Sequence, residues 1–97
     1  MIRIVKMVFD PEQIDTFQQL FAERKTRIAG FPGCQGVELL QDIDQPNVFF
    51  TYSHWESPAH LEQYRQSDLF KDTWRHTKAL FAGKPAAWSV EVANKAS

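Results

Sequence analysis

The stretch Phe49-Phe50-Thr51-Tyr52-Ser53-His54-Trp55-Glu56-Ser57-Pro58 runs an aromatic strand straight into a helix start, with no residues left over for a loop. Aromatic and β-branched residues fit a pleated, half-buried surface, so Val48 to Trp55 reads as a strand. Ser57-Pro58 opens a helix, a capping hydroxyl ahead of a proline whose missing N–H costs nothing at the first helical position. Further aromatic groups follow at Tyr64, Phe70 and Trp74. Where strand and helix face one another, aromatic and imidazole groups therefore collect, as core or as the wall of a pocket.

The remaining elements fall into place around this unit. Ile2 to Phe9 is rich in β-branched and apolar residues and reads as a first strand ended by Asp10-Pro11. Asp10 is a good N-cap, Gln13 sits where a capping box places its return bond, and Phe9 with Ile14 suits a hydrophobic staple. Ile14, Phe17, Leu20, Phe21 and Ile28 then recur near the helical period, with Gly30 as the expected stop. Phe31-Pro32-Gly33 turns the chain into a strand over Cys34 to Gln41, and the turn formers from Asp42 to Asn47 make a hairpin with Val48 to Trp55. Ser67-Asp68 is a second cap that breaks the second helix. The continuation carries a Phe70, Trp74 and Phe81 stripe and ends at Gly83 and Pro85. Trp88, Val90 and Val92 alternate in a last strand.

The order is strand, helix, strand, strand, helix, strand, the ferredoxin-like βαββαβ arrangement of an α+β domain with an antiparallel sheet. Helices on one face leave the other bare, and an uncovered apolar sheet calls for a partner, most simply a second copy. The expectation is a homodimer made by packing two sheets together.

Composition narrows the function classes. At 97 residues, 1 to 97 is a single domain. A domain of this size buries only roughly 60 to 65% of its unfolded surface, yet 13% of its residues are aromatic. That excess points to a self-associating surface, a ligand cavity, or both. Eleven Lys and Arg against twelve Asp and Glu leave a net charge of -1 with no long run of either sign, so nucleic acid is not an expected partner. The lone Cys34 excludes an intrachain disulfide and suits a reducing compartment. Met1 to Lys6 carries charges within its apolar stretch and reads as neither a signal peptide nor a membrane span, so the expected location is cytoplasmic.

Taken together, the opening strand with Asp10-Pro11-Glu12, the Gly30-Phe31-Pro32-Gly33-Cys34 turn, Tyr52 and Trp55, the Ser67-Asp68-Leu69-Phe70 break and the closing Trp88 strand resemble the antibiotic biosynthesis monooxygenase (ABM) domain family. The resemblance implies a dimeric α+β barrel with a pocket between sheet and helices in each subunit. Some members oxidise phenols to quinones with dioxygen and neither metal nor flavin, and others degrade haem. The positions of the haem-degrading relatives' Asn, Trp and haem-ligating His are filled here by Val5, Tyr64 and Trp74, so the resemblance does not extend to a haem role. Ser53 stands where many relatives have a Glu.

No phosphate loop, dinucleotide fingerprint, paired cysteine motif or zinc-protease helix is present, and no cofactor is expected. Asp72 and His76 are one helical turn apart, but no third ligand converges with them. His60 and His76 lie among charged neighbours and read as surface. His54 beside Trp55 is the candidate base for a phenolic proton, although a strand-end histidine bonded to backbone or water fits equally. Tyr64 is the candidate hydrogen-bonding orienter, with Tyr52, Trp55, Phe70 and Trp74 as walls for a small aromatic molecule. The expected function is a cofactor-independent monooxygenase acting on a small phenol- or quinol-type aromatic. The alternatives are a non-catalytic small-molecule-binding or structural dimeric module of the same fold and, third, a non-redox reaction such as an isomerisation.

Overall fold

A computed structural model describes residues Met1–Ser97. Its elements run β1 (Ile2–Val8), α1 (Ile14–Ala29), β2 (Cys34–Gln41), β3 (Val48–Trp55), α2 (Pro58–Arg65), α3 (Asp68–Lys78) and β4 (Ala86–Val90). The strands pair antiparallel in the order β2-β3-β1-β4, the ferredoxin-like α+β arrangement expected from the element order. No helix is long and apolar enough to cross a membrane.

Side-chain caps set most of the boundaries. The Ser57 hydroxyl accepts from the His60 N–H at 3.2 Å and starts α2. The Ser67 hydroxyl does two things at once, donating to the Tyr64 carbonyl at 2.6 Å and accepting from the Phe70 N–H at 3.1 Å. It thereby closes α2 and opens α3, which is the break expected at Ser67-Asp68. Asp10 also caps as expected, accepting from the Glu12 N–H at 2.9 Å. Here, however, Pro11–Gln13 form a separate 3-10 turn, which moves the start of α1 to Ile14. Gln13 is thereby carried out of the third helical position, and its side chain makes no cap bond.

Gly30 ends α1 as expected, with an ordinary helical φ of -85°, and the conformation that needs glycine occurs at Gly33, φ 87°. A Cβ on Gly33 would overlap the His60 ring, so the tight turn and the seating of α2 depend on the same missing side chain. Two further expectations are corrected. α3 ends at Lys78 rather than near Gly83. Leu80 and Phe81 donate back to Thr77 and Lys78, and Ala82 then donates to Val8 beside β1 at 2.8 Å. Phe81 consequently reaches the core from a bridge to Phe9, not from a helix. Finally, β4 stops at Val90, which pairs with Ile2 at the start of β1, so Val92 has no strand residue to pair with and is 64% exposed.

Two clusters form the core between sheet and helices. The first joins Met7, Phe9, Phe17 and Phe49, with Phe9 and Phe17 stacked at 4.0 Å. Fully burying each such side chain contributes on the order of 1.5 to 3 kcal/mol. The second joins Ile28, Trp55, Leu61 and Tyr64. An ion pair ties α1 to α3 above the sheet: Arg24 donates to Asp72 at 2.8 Å and to Thr73 at 3.0 Å.

The opposite sheet face has no covering layer in the chain. The strand registers place Leu40, Phe50, Tyr52, Ile2, Ile4, Trp88 and Val90 on it, together with Glu38, Lys6 and His54. Leu40, Trp88 and Val90 are exposed at 43, 47 and 39%. The bare apolar face expected from the element order is thus present.

Candidate active-site cavity

Successive side chains of a strand point to opposite faces, so β3 divides its residues by parity. Phe49, Thr51, Ser53 and Trp55 face the helices, where Phe49 enters the first core cluster and Trp55 the second. Arg3, Val5 and Met7 of β1 share that face. Between them and the helices lies a cavity of about 460 Å³, well within the range of small-molecule sites.

One wall is a ladder of aromatic rings running from the sheet along the helices. Trp55 stacks on Tyr64 with ring centroids 5.0 Å apart, Tyr64 meets Phe70 edge-on at 5.2 Å, and Phe70 stacks on Trp74 at 6.0 Å with the planes within 9°. Trp74 in turn meets Phe81 edge-on at 5.6 Å. Offset and edge-to-face contacts of this kind contribute about 0.5 to 1.5 kcal/mol each beyond burial. The ladder explains why the chain carries more aromatic bulk than its core requires.

The cavity's polar lining is sparse. Trp55 Nε1 donates to the Ser53 hydroxyl at 3.0 Å, which donates onward to the Arg3 carbonyl at 3.4 Å. Both groups are thereby satisfied within the wall. The Ser53 hydroxyl, expected to stand at a position that could carry an acid, is thus a neutral group already bonded. Tyr64 is buried, and that burial, with Cys34 nearby as a second cause, pushes its phenol well above the usual tyrosine range. It stays neutral at physiological pH and offers a hydrogen bond, not a basic oxygen. The remaining lining polar groups are Arg3, Arg65, Thr51, Thr73 and Thr77; no Asp, Glu, His, Cys or Lys reaches the cavity.

Tyr64, Trp55, Phe70 and Trp74 are therefore brought together as the sequence led one to expect. His54 and Tyr52 are not. Being one residue out of phase with Ser53 and Trp55, they lie on the opposite, uncovered face, where their rings meet edge-on at 5.1 Å. His54 pairs across the sheet with Ile2 and Gly36 and has the sheet itself between it and Tyr64. Pairing of His54 with Tyr64 across one cavity is thus ruled out by strand parity, and so is Tyr52 as a cavity wall. The arginines are the residues the sequence reading passed over. Arg3 sits at the same parity as Val5 and Met7, a charge on the buried face of a strand, and that spacing was the available signal. Asp72 and His76 do not begin a metal site, since Asp72 is taken by Arg24 and by Arg75 at 2.7 Å, and no three ligating side chains converge anywhere in the chain.

A four-stranded antiparallel sheet covered on one face by helices, with an aromatic cavity between, defines a ferredoxin-like α+β domain. Residues 1–75 match the model of the antibiotic biosynthesis monooxygenase family, and the chain belongs to that family. A crystal structure of an antibiotic biosynthesis monooxygenase is similar at 19% identity and TM-score 0.88, over 97% of this chain and 100% of that one. A Caulobacter crescentus protein named for the same family matches at 20% identity and TM-score 0.84, covering 93% of this chain and 89% of its own. One from Bordetella bronchiseptica matches at 22% and 0.83, covering 94 and 95%. At such identities these structures establish the fold. No curated protein matches the chain.

Proposed function

We propose that the protein is a monooxygenase that acts on a small, electron-rich aromatic held in the cavity. The observation that supports this reading is the wall of Trp55, Tyr64, Phe70 and Trp74 around about 460 Å³ in a member of this family. A planar ring stacked in that wall is oriented and kept dry. The chemistry balances without a further redox partner. An ionised anthrone-type substrate donates its electrons to dioxygen, one oxygen atom becomes the new carbonyl, and the other leaves as water with the two hydrogens the substrate loses; a hydroquinone balances in the same way when one oxygen atom enters the ring and the product is a hydroxyquinone. Oxygen uptake with an anthrone and a hydroquinone, matched by quinone formation, is the test, and no uptake above the uncatalysed rate with either would sink the reading.

A second reading has its own observation. The cavity contains no side chain able to act as a base at neutral pH, which favours a module that binds an aromatic molecule without transforming it. Saturable binding of the same compounds with no uptake would favour it. Under either reading the uncovered face of Ile4, Phe50 and Trp88 packs against that of a second copy, giving a homodimer. Light scattering at micromolar concentration that returns a monomer would defeat that part.

A further inference from the structure

Two arginines line the cavity. Arg3 reaches it from β1, in the cross-strand row Val37, Ser53, Arg3, Ser89, and Arg65 reaches it from the last turn of α2, one residue after Tyr64. The Arg3 guanidinium donates to the Ser89 hydroxyl at 3.0 Å, and no carboxylate lies within 4.0 Å of it. Arg65 is paired with Glu62 at 3.1 Å on the exposed side of α2. The trio Arg3, Arg65 and Glu62 thus carries one uncompensated positive charge at an apolar, aromatic cavity. Burial first, and repulsion from Arg65 second, pull the Arg3 pKa below its ordinary value, only partly offset by Glu62. An arginine stays protonated regardless.

We propose that Arg3 and Arg65 form an oxyanion-binding end of the cavity that takes an aromatic hydroxyl as its phenolate, so that the two cations do the work of the absent base. The planar guanidinium of Arg3 has free N–H donors beyond the one used by Ser89. No proton acceptor is needed in the wall: the phenol releases its proton to water on binding, and the cations hold the oxygen that remains. The ring then lies along Tyr64, Phe70 and Trp74. This inference rests on the cavity being the ligand site, as under the oxygenase reading, but it concerns the charge of the ligand and not the use of oxygen.

The test uses 4-nitrophenol, whose phenolate is yellow and whose ionisation is read directly by absorbance when bound to the intact protein. An opposite charge at this range lowers a pKa by about 1 to 3, so the bound phenol is expected to ionise at a pH at least about one lower than in water. Arg3→Gln should abolish most of that shift, Arg65→Gln part of it, and Arg3→Lys should restore it, which separates charge from fold. A bound nitrophenol that ionises at its aqueous pH or above it, or a shift unchanged in Arg3→Gln, overturns the proposal. So does binding of 2-naphthoate in preference to 2-naphthamide with no binding of nitrophenol, which would mark a carboxylate receptor. A lowered ionisation pH without oxygen uptake would sink the oxygenase and leave the phenolate site standing; uptake without the shift would do the reverse.

Discussion

The two faces of the sheet are built from the same strands and differ in nearly everything else. The helix-facing side carries the core clusters, the bonded Ser53 and Trp55 pair and the cavity with its two cations, so its polar groups are few and each has a position. The other side carries a broad apolar surface with Lys6, Glu38 and His54 set into it and nothing in the chain to cover it. One residue of strand phase separates the two. The lesson is that a side chain's chemistry is assigned by its parity before its identity matters: His54 carries its imidazole on the uncovered face, and Ser53 and Trp55 have the cavity.

If the outer face is a dimer interface, the largest effect should come from breaking it. Ile4→Asp places a carboxylate in the middle of that face, between Tyr52 and Trp88 in the cross-strand row. Two-fold symmetry introduces the charge twice, and an unpaired buried charge costs several kcal/mol. The dimer should be lost entirely at micromolar concentration by light scattering, with the helical signal in circular dichroism retained. A dimer that survives Ile4→Asp means that the subunits meet elsewhere.

Within the helix-facing side, the solid cluster and the cavity should respond differently. Phe9 is fully buried among Phe17, Phe49 and Phe81, so Phe9→Ala should cost about 3 to 5 kcal/mol in denaturant unfolding. Trp74 is only half-buried at the cavity, and Trp74→Ala should cost less than half of that while weakening binding of a planar aromatic by about tenfold, the value of one good stacking contact. His54→Ala, on the other face, should change that affinity by less than about twofold. Equal losses of affinity in the Trp74 and His54 variants would mean that ligand does not bind in this cavity.

Much of this was legible in the sequence, and the failures share a cause. The element order, the Ser57 and Ser67 caps and the bare sheet face follow from local patterns, because capping and alternation act within a few residues. The aromatic ladder was legible in part: Phe70 and Trp74 are one helical turn apart on the continuation after the Ser67 break, and Trp55 ends a strand that runs directly into the helix carrying Tyr64. Tyr52 and His54 were grouped with Trp55 because they are its neighbours in sequence, whereas a strand separates neighbours and joins residues two apart. The register slip between Cys34 and Gly36, at a glycine with φ 141°, depends on pairing with β3 and leaves no local signal beyond the glycine itself. Arg3 is the opposite case. Its parity with Val5 and Met7 was visible, but a terminal arginine in an apolar strand resembles a solvated edge until the helices are placed above it.

The smallest expected effect concerns the one buried titratable group in the cavity wall. Below about pH 10, the ordinary tyrosine range, Tyr64 is protonated in both the folded and the unfolded chain and its ionisation contributes nothing to the difference between them. Above it the unfolded chain releases the proton while native Tyr64, held neutral by burial, keeps it. The native state then binds more protons, so stability must fall as pH rises. Tyr64→Phe removes this dependence and, because the hydroxyl makes no bond that the core requires, should change stability at neutral pH by less than about 1 kcal/mol. Urea unfolding at about pH 8 and pH 11 should therefore show the variant losing less stability than the parent, by about 1 kcal/mol. An equal alkaline loss in both would mean that the Tyr64 phenol ionises as freely in the fold as out of it, and that the cavity beside it is wetter than its aromatic walls imply.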